Sequence, residues 1–143
     1  MPRTAAIIRC VAALVFWSGS TVAWAEPCLP SYNGITGAET LTAGQCRAYE
    51  SWIMGREILN QCHDLDWNYE VMQAMTAREL LNVEDFRKDG PYYEVAVHAR
   101  NLVSHSLGSV LDTTMGTGYQ LCSIGVILFG TTGTREVSLL IEK

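Results

Sequence analysis

Hydrophobic residues recur at helical spacing through most of this chain, and glycine, proline and polar turns punctuate the helical stretches. Between Glu26 and Leu41, two prolines, two glycines and Ser31, Asn33 and Thr36 predict a loop. Thr42 followed three residues later by Gln45 is a capping box, which marks a helix start. Cys46, Tyr49, Trp52, Ile53 and Leu59 then form an apolar stripe that carries a first helix to about Cys62. His63 to Asn68 is polar and reads as a turn, and Tyr69 to Met75 reads as a short helix. Thr76 with Glu79 is a second capping box, followed by Leu80, Leu81, Val83 and Phe86 at core spacing. Arg87, Lys88, Asp89 and Gly90 close that helix, with basic residues where the helix dipole favours them.

Pro91 suits the first position of a third helix. Val95, Ala99, Leu102, Val103, Leu107, Val110 and Leu111 give that helix a continuous apolar face, with His98, Asn101, His105 and Asp112 opposite and an expected end near Asp112. Beyond Thr113, Leu121 to Phe129 and Val137 to Ile141 are apolar runs on either side of the glycine-bearing turn at 130–134. Two such runs predict a β-hairpin, with a short helix over the first run as the competing reading. The expected fold is therefore mainly α. It is a small bundle of about three helices around one core, with a C-terminal hairpin as one reading of its end. No repeat or linker is visible, so residues 26–143 read as one domain. Within it, 26–41 is an N-terminal loop and 113–143 a glycine-containing C-terminal segment.

The first 25 residues follow another logic. Arg3 and Arg9 form a positive start, Ala12 to Trp17 an apolar heart, Ser18-Gly19-Ser20 a break, and Ala23-Trp24-Ala25 a cleavage signal. The apolar run is shorter than the roughly 20 residues of a membrane span. The expectation is a signal peptide cleaved after Ala25. It gives an exported protein, periplasmic or secreted, with no stable membrane insertion after cleavage. An uncleaved N-terminal anchor is the competing reading.

Charge narrows the partners. The chain has 10 lysines and arginines against 15 acidic residues. Removing Arg3 and Arg9 with the leader leaves eight cations and a formal charge of −7. That sign disfavours nucleic acid and anionic membrane surfaces. Cysteine usage adds more. With Cys10 in the leader, Cys28, Cys46, Cys62 and Cys122 remain, an even number that in an oxidising compartment implies two disulfides. If Cys46 and Cys62 lie on one helix they are about 24 Å apart, too far for a bond unless Gly55 breaks the helix. Either of the two remaining connectivities ties each terminal segment to one helix end, and of the two Cys28–Cys62 with Cys46–Cys122 is favoured.

No catalytic or metal motif survives its spacing test. Asp64-x-Asp66-x-Asn68-x-Glu70 begins like a calcium loop, but Tyr69 and Met75 stand where such a loop needs Gly and Glu. His98 and His105 are about 10.5 Å apart in helical rise, too far for one metal ion. Ser104 and His105 are helix neighbours and point apart, and there is no Gly-x-Ser-x-Gly elbow. Gly116-x-Gly118 lacks the third glycine and preceding strand of a dinucleotide loop. No cofactor and no metal are expected. Trp67, Tyr69, Tyr92 and Tyr93 are the candidate interface residues, because tyrosine and tryptophan anchor protein contacts; the plainer reading is that they cover the core edge.

Cys46, Tyr49, Ile53 and Gly55 on the first helix resemble the cysteine–tyrosine–glycine helix of small periplasmic immunity proteins that neutralise type VI secretion amidase effectors. Thr76 to Leu81, Pro91, Ala99-x-x-Leu102-Val103 and Leu107 are similar in order and spacing to the second half of that group. The chain departs from the group in having no Cys-x-Pro after the first helix and in its glycine-rich tail. The resemblance implies a helical inhibitor that plugs an enzyme cleft, and it carries over no binding residue. The leading expectation is an exported, non-enzymatic binding protein of inhibitor, immunity or accessory type, acting on another envelope protein. A small envelope enzyme would instead need a pocket converging on His98, His105 or acidic residues, with shifted pKa values. A structural or stress-related envelope component is the third possibility.

Overall fold

A computed structural model describes residues 28–111 and 116–143. The expected leader, its expected cleavage point after Ala25 and the expected helix end at Asp112 lie outside the described residues. The described chain forms helices α1 (Ala43–Leu59), α2 (Tyr69–Arg78), α3 (Tyr93–Val110) and α4 (Thr117–Phe129), with strands β1 (Leu65–Trp67) and β2 (Leu140–Glu142) and short 3-10 turns. The mainly α fold expected from the sequence is the one observed. No described helix is long and apolar enough to cross a membrane.

Helix α1 starts where its capping box sets it. The Thr42 hydroxyl accepts from the Gln45 amide at 3.1 Å, and the Gln45 side chain accepts from the Thr42 amide at 3.0 Å. Helices α2, α3 and α4 and strand β1 all pack on α1. Ile53 and Ile58 of α1 meet Val95, Ala99 and Val103 of α3 and Leu121 and Phe129 of α4 in one fully buried core. Each large aliphatic side chain so buried contributes about 1.5–3 kcal/mol. Gly125 lets α4 approach closely, because a Cβ there would stand 2.6 Å from Leu65 Cδ1 and 3.0 Å from Ile58 Cγ2.

Both disulfides form, but not in the favoured pairing. Cys28 is bonded to Cys46 and Cys62 to Cys122, with Cα–Cα distances of 5.7 and 5.1 Å. The N-terminal segment does not run along α1. It turns back on itself through two 3-10 turns and closes with the Cys28 amide on the Leu41 carbonyl at 2.9 Å. That closure sets Cys28 beside the start of α1, leaving Cys62 to α4.

Three further expectations are corrected. The polar stretch at 63–68 contains β1, with buried Leu65, and Asn68 caps α2 through the Val71 amide at 3.3 Å. Thr76 starts no helix: it lies inside α2, where its hydroxyl donates to the Met72 and Gln73 carbonyls. The helix ends instead at Arg78, and just past its cap Leu80, with a φ of +53°, makes the left-handed turn usually taken by glycine, with the Leu81 amide reaching back to the Thr76 carbonyl at 2.8 Å. Finally, the C-terminal segment is not a hairpin. Leu121 to Phe129 is helical, and β2 pairs antiparallel with β1, Leu65 opposite Glu142 and Trp67 opposite Leu140.

A polar network ties both terminal segments to α1. The buried Tyr32 hydroxyl donates to Glu50 Oε1 at 2.8 Å, and Arg135 donates to Glu50 Oε2 at 2.7 Å and to Ser51 Oγ at 2.8 Å. Burial, then the negative charge of Glu50 and the hydrogen bond to it, push the Tyr32 pKa well above its ordinary value. Burial also raises that of Tyr49, against the positive charge of Arg100 and Arg56.

Two predictions follow from these ties. In the chain-entropy account, the 60-residue loop closed by Cys62–Cys122 is worth about 4 kcal/mol. Replacing both cysteines by serine should lower the unfolding free energy by about that much in a denaturant titration; a loss below about 1 kcal/mol would contradict it. The unfolded chain ionises its tyrosines near pH 10, whereas the folded chain keeps Tyr32 and Tyr49 protonated there. The folded state then holds more protons, so stability should fall as pH rises through about 10. In thermal melts from about pH 9 to 11, Tyr32→Phe should weaken that fall; superposed profiles would refute the assignment.

Candidate functional site

A groove lies between α1, the turn around Val83–Phe86 and the start of α3. From α1 it receives Tyr49, Trp52, Ile53 and Arg56, which share a helix face at three- and four-residue spacing. From α3 it receives Tyr93 and Arg100, two turns apart on one face. The segment between them supplies Val83, Glu84, Phe86, Arg87, Lys88 and Asp89, and the groove encloses about 650 Å³.

Local bonding shapes that segment. The Asn82 side chain accepts from the Glu84 amide at 3.2 Å and opens a 3-10 turn, Val83–Phe86. The Gly90 amide then reaches the Arg87 carbonyl at 2.8 Å, and the Tyr92 amide the Asp85 carbonyl at 3.0 Å. Gly90 packs directly on the Asp85 carbonyl, where any Cβ would collide. Phe86 anchors the whole turn: its ring stacks on Tyr49 with centroids 3.9 Å apart and planes 14° from parallel.

The groove is aromatic inside and cationic at its rim. Trp52 stands 5.7 Å from Tyr49, ring to ring, and the Arg56 guanidinium lies over the Trp52 ring at 5.3 Å. Of the eight lysines and arginines after position 25, four line this groove: Arg56, Arg87, Lys88 and Arg100. Arg87 is paired with Glu84 at 2.7 Å, and Arg56 with Glu57 at 3.6 Å. Arg100 donates to the Ala96 carbonyl at 3.2 Å and is paired with no carboxylate among the described residues. Tyr49 is 4% exposed as a whole; its hydroxyl makes no hydrogen bond to a described residue, and since no described buried side-chain polar atom lacks a partner, it opens to solvent, where the charges of Arg100 and Arg56 act on it.

The four expected interface residues are not brought together. Tyr93 lines the groove. Tyr92, at the head of α3, is wedged against Phe86 at 5.1 Å and against Gly37 of the N-terminal segment, so it covers the core edge. Trp67 sits on β1 with its ring over Gly55 of α1, and Tyr69 projects from the start of α2 at 60% exposure. His98 and His105 do not converge either. The His98 ring nitrogen Nε2 lies 2.7 Å from the Ser31 carbonyl and its ring 4.9 Å from that of Tyr32, which docks the N-terminal segment on α3, while His105 is exposed. Sequence reasoning placed Trp52 in the core and read Arg87 and Lys88 as a helix ending. The basic residues of the groove come from separate segments, and only the spacing of Trp52 to Arg56 on one face carried a local signal. Elsewhere, α4 presents Tyr119, Val126 and Ile127 to solvent. Comparison of the chain with family models, with curated proteins and with solved structures finds no match.

Proposed function

We propose that this protein is an exported, non-enzymatic binding protein, of inhibitor, immunity or accessory type, that docks on another envelope protein through the groove between α1 and α3. The observation that carries the reading is the make-up of the groove, with Trp52 and Tyr93 as walls and four cations at its rim. Tryptophan, tyrosine and arginine are the residues that dominate binding hot spots. The planar fork of donors on arginine suits recognition of a partner's polar groups. Two disulfides suit an oxidising compartment, periplasmic or extracellular. The resemblance of Cys46 to Leu107 to immunity proteins points the same way, towards a helical inhibitor seated in a partner's cleft.

A pull-down of the tagged, oxidised protein from envelope extract tests this reading. The wild type and Ile127→Asp, altered on the exposed face of α4, should capture the same near-stoichiometric partner. The double variant Trp52→Ala/Tyr93→Ala should lose that partner by roughly tenfold or more at an unchanged fold. Capture that survives the double variant, capture that depends on Ile127 instead, or no enriched partner would contradict it.

A further inference from the structure

The groove holds an incomplete set of hydrogen-bonding groups. The Tyr49 hydroxyl is a solvent-reachable donor without a described partner, at the tip of an otherwise buried residue. Arg100 offers a guanidinium that meets no described carboxylate, and Arg56 reaches only a long pair with Glu57, at 3.6 Å. Planar guanidinium groups match a carboxylate by paired N–H donors, and a tyrosine hydroxyl adds a third direction of donation. Trp52 and Tyr93 flank these groups with apolar ring surface.

Two features select among anions. Glu84 and Asp89 line the same groove, so a run of phosphates would meet like charge within it. The chain beyond the leader is also strongly acidic, with eight cations against 15 acidic residues, which repels extended polyanions at long range. A single carboxylate set among apolar neighbours carries one charge, so it meets both obstacles far less than a run of phosphates does.

We propose that the groove takes an acidic peptide segment of a partner protein, its carboxylate bound by Arg100, Arg56 and the Tyr49 hydroxyl and an adjacent aromatic or aliphatic side chain packed on Trp52 and Tyr93. This rests on the reading of the groove as a docking site and names the chemistry it recognises. Arg100 and Tyr49 decide which segment is accepted, while Trp52 supplies contact that any apolar segment could use.

The test is a phage-displayed library of random heptapeptides selected on the oxidised protein, with the selected sequences then synthesised and titrated. The selected peptides should carry Asp or Glu beside a large apolar residue. Converting that acid to its amide should weaken binding roughly tenfold or more, and so should Arg100→Gln in the protein. Tyr49→Phe, which removes only the hydroxyl, should weaken it by a smaller factor, with the melting temperatures of both variants close to wild type. Selected peptides without carboxylates that are still lost in Trp52→Ala would overturn the ligand class while leaving the groove as the docking site. Peptides indifferent to both Trp52→Ala and Arg100→Gln, or no selection at all, would overturn both. Displacement of the acidic peptides by millimolar inorganic phosphate would replace the carboxylate by a phosphate ligand and overturn the proposal.

Discussion

Helix α1 is covalently tied near each end, and that constraint organises the protein. Cys46 in its first turn holds the N-terminal segment, and Cys62 just beyond its last turn holds α4. Between these points Tyr32, Glu50, Ser51 and Arg135 lace the two terminal segments to its middle. With α4, the N-terminal turns and the β1–β2 pair placed against other parts of α1, the stretch from Tyr49 to Arg56 faces the turn before α3. That turn covers the stretch in part, and the groove is what remains open.

The stack of Phe86 on Tyr49 sets how far the turn can close. Phe86 is 3% exposed and packs on both Tyr49 and Tyr92, so truncating a side chain so placed costs about 3–5 kcal/mol. Because Phe86 lies at the end of the 3-10 turn, Arg87 and Lys88 emerge immediately after it at the groove rim. The same ring that Phe86 holds, Tyr49, carries the hydroxyl facing the field of Arg100 and Arg56. Core packing and the polar character of the groove are thus two sides of one residue.

What the sequence made legible was local. The capping box at Thr42 and Gln45 and the apolar face of α3 depend only on neighbours within a turn or two; the box stands as read, and the face holds at Val95, Ala99, Val103 and Leu107, which are buried, while Val110 at its far end is exposed. Leu121 to Phe129 was ambiguous because the run is apolar on every side, and periodicity cannot separate a buried strand from a helix there. Its partners decided it, with Leu121, Gly125 and Phe129 turned inward at helical spacing. The disulfide pairing depended on the path of residues 28–41, and the β1–β2 pairing on two segments far apart in the chain. Neither leaves a mark that local pattern can carry. Leu80, a non-glycine residue in a left-handed turn, hid the end of α2 for the same reason: the usual residue signal was missing. At the site, Tyr93 was legible as an aromatic near a helix start, but the convergence of Arg56, Arg87, Lys88 and Arg100 exists only after folding.

Hydrogen–deuterium exchange on the wild type and on Phe86→Leu, a change that keeps the site apolar but removes the ring stack, tests the central claim that the Tyr49–Phe86 contact holds the basic turn in place. Faster exchange confined to the amides between Val83 and Tyr93, including those of Gly90 and Tyr92, with α2 and the β1–β2 pair unchanged, is the result expected. Unchanged exchange in that turn, or a uniform increase along the whole chain, would contradict it.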